Sequence, residues 1–131
     1  MRFLLTVYDD ERRWASVDEE SMRAEIDEYW ALDNAATAAG VFVDSGGLLP
    51  TDTAKTVRIR DGEQSITDGP FAETKEQLGG YYLLDCDSVD EALAWAAKIP
   101  AARTGSVEVR QLMDYAAAGF PNPAEEAARS A

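Results

Sequence analysis

The sequence predicts a single α+β domain, and three observations predict it. Ser16-Val17-Asp18-Glu19 and Ser88-Val89-Asp90-Glu91 both have capping-box spacing, and each precedes apolar residues recurring at helical period. Four separate segments carry apolar side chains in strand-like runs. Asp61-Gly62, set between two alternating segments, is a hairpin signal. At 131 residues the chain fits one domain, which at that size buries roughly two-thirds of its unfolded surface without needing staples.

The elements follow in order. Arg2 to Tyr8 places Phe3, Leu5 and Val7 on one face and Leu4 and Tyr8 on the other, as a strand buried on both sides does. A loop is expected next. The first helix then runs from about Val17 to Ala39, with Met22, Ile26, Tyr29, Trp30 and Ala36 on its apolar side and Gly40 as its stop. Strand two is expected over Val41–Leu49, with a bulge at Gly46-Gly47. Thr56–Arg60 and Glu63–Thr67 form the hairpin, with Arg58 and Arg60 opposite Val57 and Ile59. Gly80–Asp85 is again a strand with apolar groups on both faces. Its helix runs to about Lys98 on a stripe of Val89, Ala92, Leu93, Ala96 and Ala97, ended by Pro100. Ser106–Met113 is the last strand, and residues 114–131 are an Ala-rich tail outside the 1–113 domain.

With the hairpin set aside, the order β-α-β-β-α-β is that of a ferredoxin-like sheet with both helices on one face. Strands apolar on both faces then leave one face of the sheet uncovered. A second copy supplies the cover, so a two-fold homodimer with two sheets face to face, a dimeric α+β barrel, is expected.

Charge narrows the partners. Twelve Lys and Arg stand against 25 Asp and Glu, and a formal charge of −13 repels nucleic-acid phosphates and anionic lipid surfaces. The chain has no histidine, so the usual neutral-pH acid/base group and commonest transition-metal ligand are missing. The runs Asp9-Asp10-Glu11 and Asp18-Glu19-Glu20 lack the ligand alternation of a calcium loop, and neither a metal nor a cofactor is expected. One cysteine, Cys86, excludes an internal disulfide, and the first residues are too short an apolar run for a signal segment, so a cytoplasmic location is expected.

The densest stretch is Asp68-Gly69-Pro70-Phe71-Ala72-Glu73-Thr74-Lys75-Glu76-Gln77-Leu78-Gly79-Gly80-Tyr81-Tyr82. Pro70 fixes its own φ and biases Gly69 toward extended backbone, and a carboxylate ahead of such a corner accepts turn N–H groups. Asp68-Gly69-Pro70-Phe71, followed by Glu73-Thr74-Lys75-Glu76 and Gly79-Gly80-Tyr81, resembles the signature of the DGPF proteins of the YCII-related family. Phe3-Leu4-Leu5, Ala39-Gly40-Val41 and Trp95 to Ala101 followed by Val107-Glu108-Val109-Arg110 extend the resemblance over about Met1 to Met113. It implies a dimeric α+β barrel. It also implies an association with extracytoplasmic-function sigma factors for some members, and, in the wider family, a His–Asp catalytic pair. By that matching Tyr29 stands where the His would be and Ile99 where the Asp would be, so the same proton transfers are not available to this chain.

Asp68 is the candidate catalytic carboxylate, expected at the mouth of a pocket, its alternative role being an Asx-turn that fixes the corner. Candidate ligand-binding residues are Tyr29, Arg58, Lys75 and Tyr81: two phenols, a guanidinium for an anionic group, and an ammonium suited to nucleophilic work if desolvated. Against them stand ordinary roles. Arg58 and Arg60 pair with excess carboxylates, Glu73, Lys75 and Glu76 are solvated loop charges, and the three tryptophans anchor the core or dimer. Gly79-Gly80 precedes a strand and lacks a following Lys-Ser/Thr, so it is not a phosphate loop. The reading that results is a homodimer binding a small polar metabolite. Its alternatives are a weak histidine-independent isomerase- or lyase-like enzyme using Asp68, or an interaction module partnering a sigma factor.

Overall fold

Phe3, Leu5 and Val7 alternate with half-buried Leu4, Thr6 and Tyr8 along strand β1 (Arg2–Asp9), and this alternation organises the molecule. In the computed structural model, which describes residues 1–130, β1 pairs antiparallel with β5 (Gln77–Asp85) on one side and β6 (Ser106–Gln111) on the other. Strand β2 (Phe42–Gly47) pairs antiparallel with β5 and closes the edge, so the four-stranded sheet runs β2-β5-β1-β6. Strands β3 (Lys55–Arg60) and β4 (Glu63–Asp68) form a separate two-stranded ribbon. The chain is thus a mixed α+β protein with an antiparallel sheet and, among the described residues, four α-helices.

The core lies on one side of the sheet. Phe3, Leu5, Tyr82 and Leu84 meet Leu32 and Ala36 of helix α2 (Glu19–Ala38) and Ala92 and Ala96 of helix α3 (Val89–Ala96), with Ile99 sealing the end. Burial of each large apolar side chain contributes about 1.5–3 kcal/mol, and the alanines let the helices approach closely. The other face carries Leu4, Thr6, Tyr8, Tyr81 and Leu83 half-buried beside Asp44, Glu108 and Arg110, a mixed surface with its own ion pair between Arg110 and Glu108.

Several boundaries differ from expectation for local reasons. The expected loop after β1 contains helix α1 (Glu11–Ser16), because the Asp10 side chain accepts the N–H of Arg12 and caps it. Val17 is extended, and Asp18, rather than Ser16, caps α2 by accepting the N–H of Ser21 at 2.7 Å. The second box is also offset: Ser88 accepts from Glu91 as expected, but Glu91 reaches back to the N–H of Asp87. The irregularity in β2 falls between Phe42 and Asp44, not at Gly46-Gly47. β5 begins three residues earlier than Gly80, β6 stops at Gln111, and the tail holds a fourth helix, α4 (Pro123–Ser130), with no buried residue.

The hairpin follows its sequence signal, with Asp61 and Gly62 both at positive φ. Gly69 is not extended: it takes φ 100°, open to glycine, while its N–H bonds Ala54 O at 2.7 Å and its carbonyl accepts from the Thr56 hydroxyl at 2.8 Å. These bonds close the base of the ribbon. Arg58 and Arg60 do lie on the face opposite Val57 and Ile59, and the apolar face with Ile66 points outward.

Candidate functional site

Along α2, Met22, Ile26, Tyr29, Trp30 and Asp33 recur at three- and four-residue spacing and share one face. Beneath them the end of the sheet at β2 and β5 is floored by glycines. Gly47 of β2 stands directly opposite Gly80 of β5, on the same face as Tyr82, so this end of the sheet is bare backbone. A Cβ on Gly80 would lie 2.7 Å from the carbonyl oxygen of Gly46, whereas one on Gly47 would meet nothing within 4 Å. The paired glycines keep β2 and β5 close at one position and leave open volume at the other.

The result is a cavity of about 1150 Å³ between α2 and the sheet, walled by Trp14 of α1 and by Leu48, Leu49 and Pro50 of the connection after β2. That connection is tied down by Glu11. Its carboxylate accepts the Thr51 N–H at 3.0 Å and the Thr51 hydroxyl, while the Glu11 N–H donates to the Gln77 side chain at 3.0 Å. Glu11 therefore links α1, the connection and β5 into one rim.

A second polar cluster fixes the helices at the inner end. Arg13 donates to Asp9 at 2.7 Å and to Glu25 at 3.0 Å, and the Thr104 hydroxyl donates to the same Asp9 oxygen at 2.8 Å. Asp9 is only 8% exposed, which such a fully bonded carboxylate tolerates. Burial works against the Arg13 charge, but Glu25 and Asp9 outweigh it and hold its pKa above the ordinary value.

Two phenols and a carboxylate meet on the helix side. The Tyr82 hydroxyl donates to Asp33 at 2.6 Å, bridging β5 to α2. Burial, then the Asp33 carboxylate, pushes the Tyr82 pKa well above the phenol range. Tyr29 is pushed up to about 12, chiefly by burial. Tyr81 donates to Asp44 at 3.0 Å, and that carboxylate raises its pKa. Neither Asp33 nor Glu11 has a Lys or Arg within ion-pair distance among the described residues.

Of the residues singled out from sequence, Tyr29 lines this cavity from α2, and Tyr81 borders it through β5 with its ring on the opposite face of the sheet. Asp68, Arg58 and Lys75 do not. β4 returns Asp68 to the base of the ribbon, where its carboxylate bonds the Lys55 ammonium rather than turn N–H groups, with 83% of its side chain exposed. Arg58 donates to the carbonyl of Phe71 at 3.4 Å on the ribbon, and Lys75 is exposed in the loop before β5. Asp68 is not among the residues that line the cavity. Sequence reasoning missed Asp33, Glu11 and the glycine floor. The available signals were a carboxylate four residues after Tyr29 on an apolar helix face, and two Gly-Gly pairs in strands that pair with each other. Ile99, at the position matched to a catalytic Asp, is buried in the core.

Among the described residues no group of three His, Cys, Asp or Glu is arranged to hold a metal ion, and no helix is long and apolar enough to cross a membrane.

Comparison with known proteins agrees with the sequence resemblance. The model of the YCII-related domain matches residues 1–116. An uncharacterised protein of Rhizobium meliloti (strain 1021) is 39% identical over 127 residues, covering 93% of this chain and all 100% of the relative. A solved structure of 5-chloro-2-hydroxyhydroquinone dehydrochlorinase from Burkholderia phenoliruptrix, in complex with 2,5-dihydroxybenzoquinone, is similar at 17% identity and a TM-score of 0.45, covering 86% of this chain and 94% of that one.

Proposed function

The chain belongs to the YCII-related family, and from that premise we propose that it is a homodimeric small-molecule-binding protein whose ligand occupies the cavity between α2 and the glycine-floored end of the sheet. The cavity carries this reading. A cleft of about 1150 Å³, open to solvent on one side, lies beside a well-packed core. Its lining is mostly apolar and aromatic with a few placed polar groups, as small-molecule sites are.

The strand order β2-β5-β1-β6, with α2 and α3 packed on one side, supports a ferredoxin-like assignment. The half-buried Leu4, Tyr8, Tyr81 and Leu83 on the opposite side support a second sheet stacked there, giving a dimeric α+β barrel. The free, buried thiol of Cys86 fits a reducing, cytoplasmic location. Asp68, ion-paired outside the cavity, fits a role in holding the ribbon base better than one in proton transfer.

A thermal-shift screen against small metabolites tests the proposal. A true ligand at a hundred times its dissociation constant raises stability by roughly 2.7 kcal/mol and alters the fluorescence of Trp14 and Trp30 at the wall. A library broad in charge and ring content that yields no saturable shift would count against it.

A further inference from the structure

We infer that the ligand of this cavity is a cation, an amine or quaternary ammonium on an apolar body, held at the Asp33 carboxylate beside the rings of Tyr29 and Trp30, with the Glu11 carboxylate adding negative charge at the rim. This rests on the cavity being the binding site, and it names what that site selects.

The charged groups of the lining are unequal. Asp9, Glu11, Asp33 and Asp52 face Arg12 alone, and Arg12 is already engaged by Asp10 at 2.6 Å. Asp9 is likewise matched by Arg13 at 2.7 Å. Glu11 and Asp33 differ, because their bonds come from neutral donors, the Thr51 N–H and hydroxyl and the Tyr82 phenol. Neutral donors orient a carboxylate without cancelling its charge. Two half-buried carboxylates without a counter-ion therefore face one partly enclosed, apolar volume, where screening by water is weaker than at an open surface. A chain of net charge −13 supplies no long-range compensation.

The aromatic groups point the same way. Tyr29 and Trp30 precede Asp33 by one helical turn on the same face of α2, so a cation at the carboxylate lies within reach of both rings. An anion entering the cavity would meet the carboxylates of Glu11, Asp33 and Asp52, none of them ion-paired, and no free cation among the described lining residues.

Three probes of similar size decide the matter by equilibrium titration of the full-length protein: benzyltrimethylammonium, its uncharged isostere neopentylbenzene, and phenylacetate. The inference predicts that the ammonium binds at least tenfold more tightly than the isostere and that phenylacetate does not bind. Asp33→Asn, which keeps an acceptor for Tyr82, should weaken the ammonium about tenfold and leave neopentylbenzene unchanged. Trp30→Leu, at an exposed helix position, should lower ammonium affinity severalfold with no change in melting temperature. Equal affinity for ammonium and isostere, tighter phenylacetate, or an indifferent Asp33→Asn would overturn the charge selection while leaving the cavity as a binding site. No saturable binding by any of the three would overturn the inference, and the broad thermal-shift screen then decides the cavity itself.

Discussion

At the scale of single residues, the decisive contrast is between two glycines that face each other. Gly80 has no room for a methyl group, since its Cβ would press on a backbone oxygen that cannot swing away. Gly80→Ala should therefore cost about 1–3 kcal/mol, read as a lowered denaturation midpoint. Gly47→Phe, by contrast, projects into open space and should leave the midpoint within about 0.5 kcal/mol of wild type while reducing the cavity. The phenols give a second residue-level expectation. Tyr29 has its pKa raised to about 12 in the folded state, against about 10 in an unfolded chain. Its contribution is complete below pH 10, where both states are protonated, and is lost as pH rises from about 10 through 12, because the unfolded state releases the proton first. Ultraviolet titration should show Tyr29 and Tyr82 ionising later than an unfolded-state phenol, and Tyr29→Phe should flatten part of the alkaline loss of stability.

At the scale of elements, the caps and the ribbon carry the lesson about what a sequence discloses. Strand alternation in Arg2–Asp9, the Asp61-Gly62 turn and the Ser88 cap are local effects, written in neighbouring residues, and each was legible. The helix starts were less so. Ser16 and Asp18 are both good caps two residues apart, and the choice between them depends on Asp10 having already opened α1, which leaves Val17 as the break between two helices. Asp18→Ala should accordingly destabilise the protein by about 1 kcal/mol, with Ser16→Ala nearly silent, as chemical denaturation would report. The cavity was legible only in part. Tyr29 and Tyr81 stood out as phenols near informative positions, but Asp33 acquires its role from Tyr82, 49 residues away, and Glu11 from Thr51, 40 residues away. Such pairings depend on strand order and register, which periodicity does not encode. Asp68 shows the converse: a conspicuous local motif served a local purpose, closing a ribbon through Gly69, Ala54 and Thr56.

At the scale of the whole molecule, two surfaces stand outside the core. The outward ribbon face bears exposed Val57, Ile59 and Ile66, and the sheet face carries half-buried Leu4, Tyr8, Tyr81 and Leu83 among polar groups, so both have apolar surface that a second copy could cover. Light scattering at micromolar concentration should therefore return twice the mass of 14.3 kDa; a compact monomer there would contradict the dimeric arrangement. The central claim concerns the cavity, and its most direct test is calorimetric titration of a ligand from the thermal-shift screen into wild type, Gly47→Phe and Asp68→Asn. The account predicts one site per subunit in wild type, a loss of at least tenfold in Gly47→Phe with its melting temperature retained, and unchanged affinity in Asp68→Asn. Undiminished binding to Gly47→Phe together with lost binding to Asp68→Asn would contradict it and move the site to the ribbon.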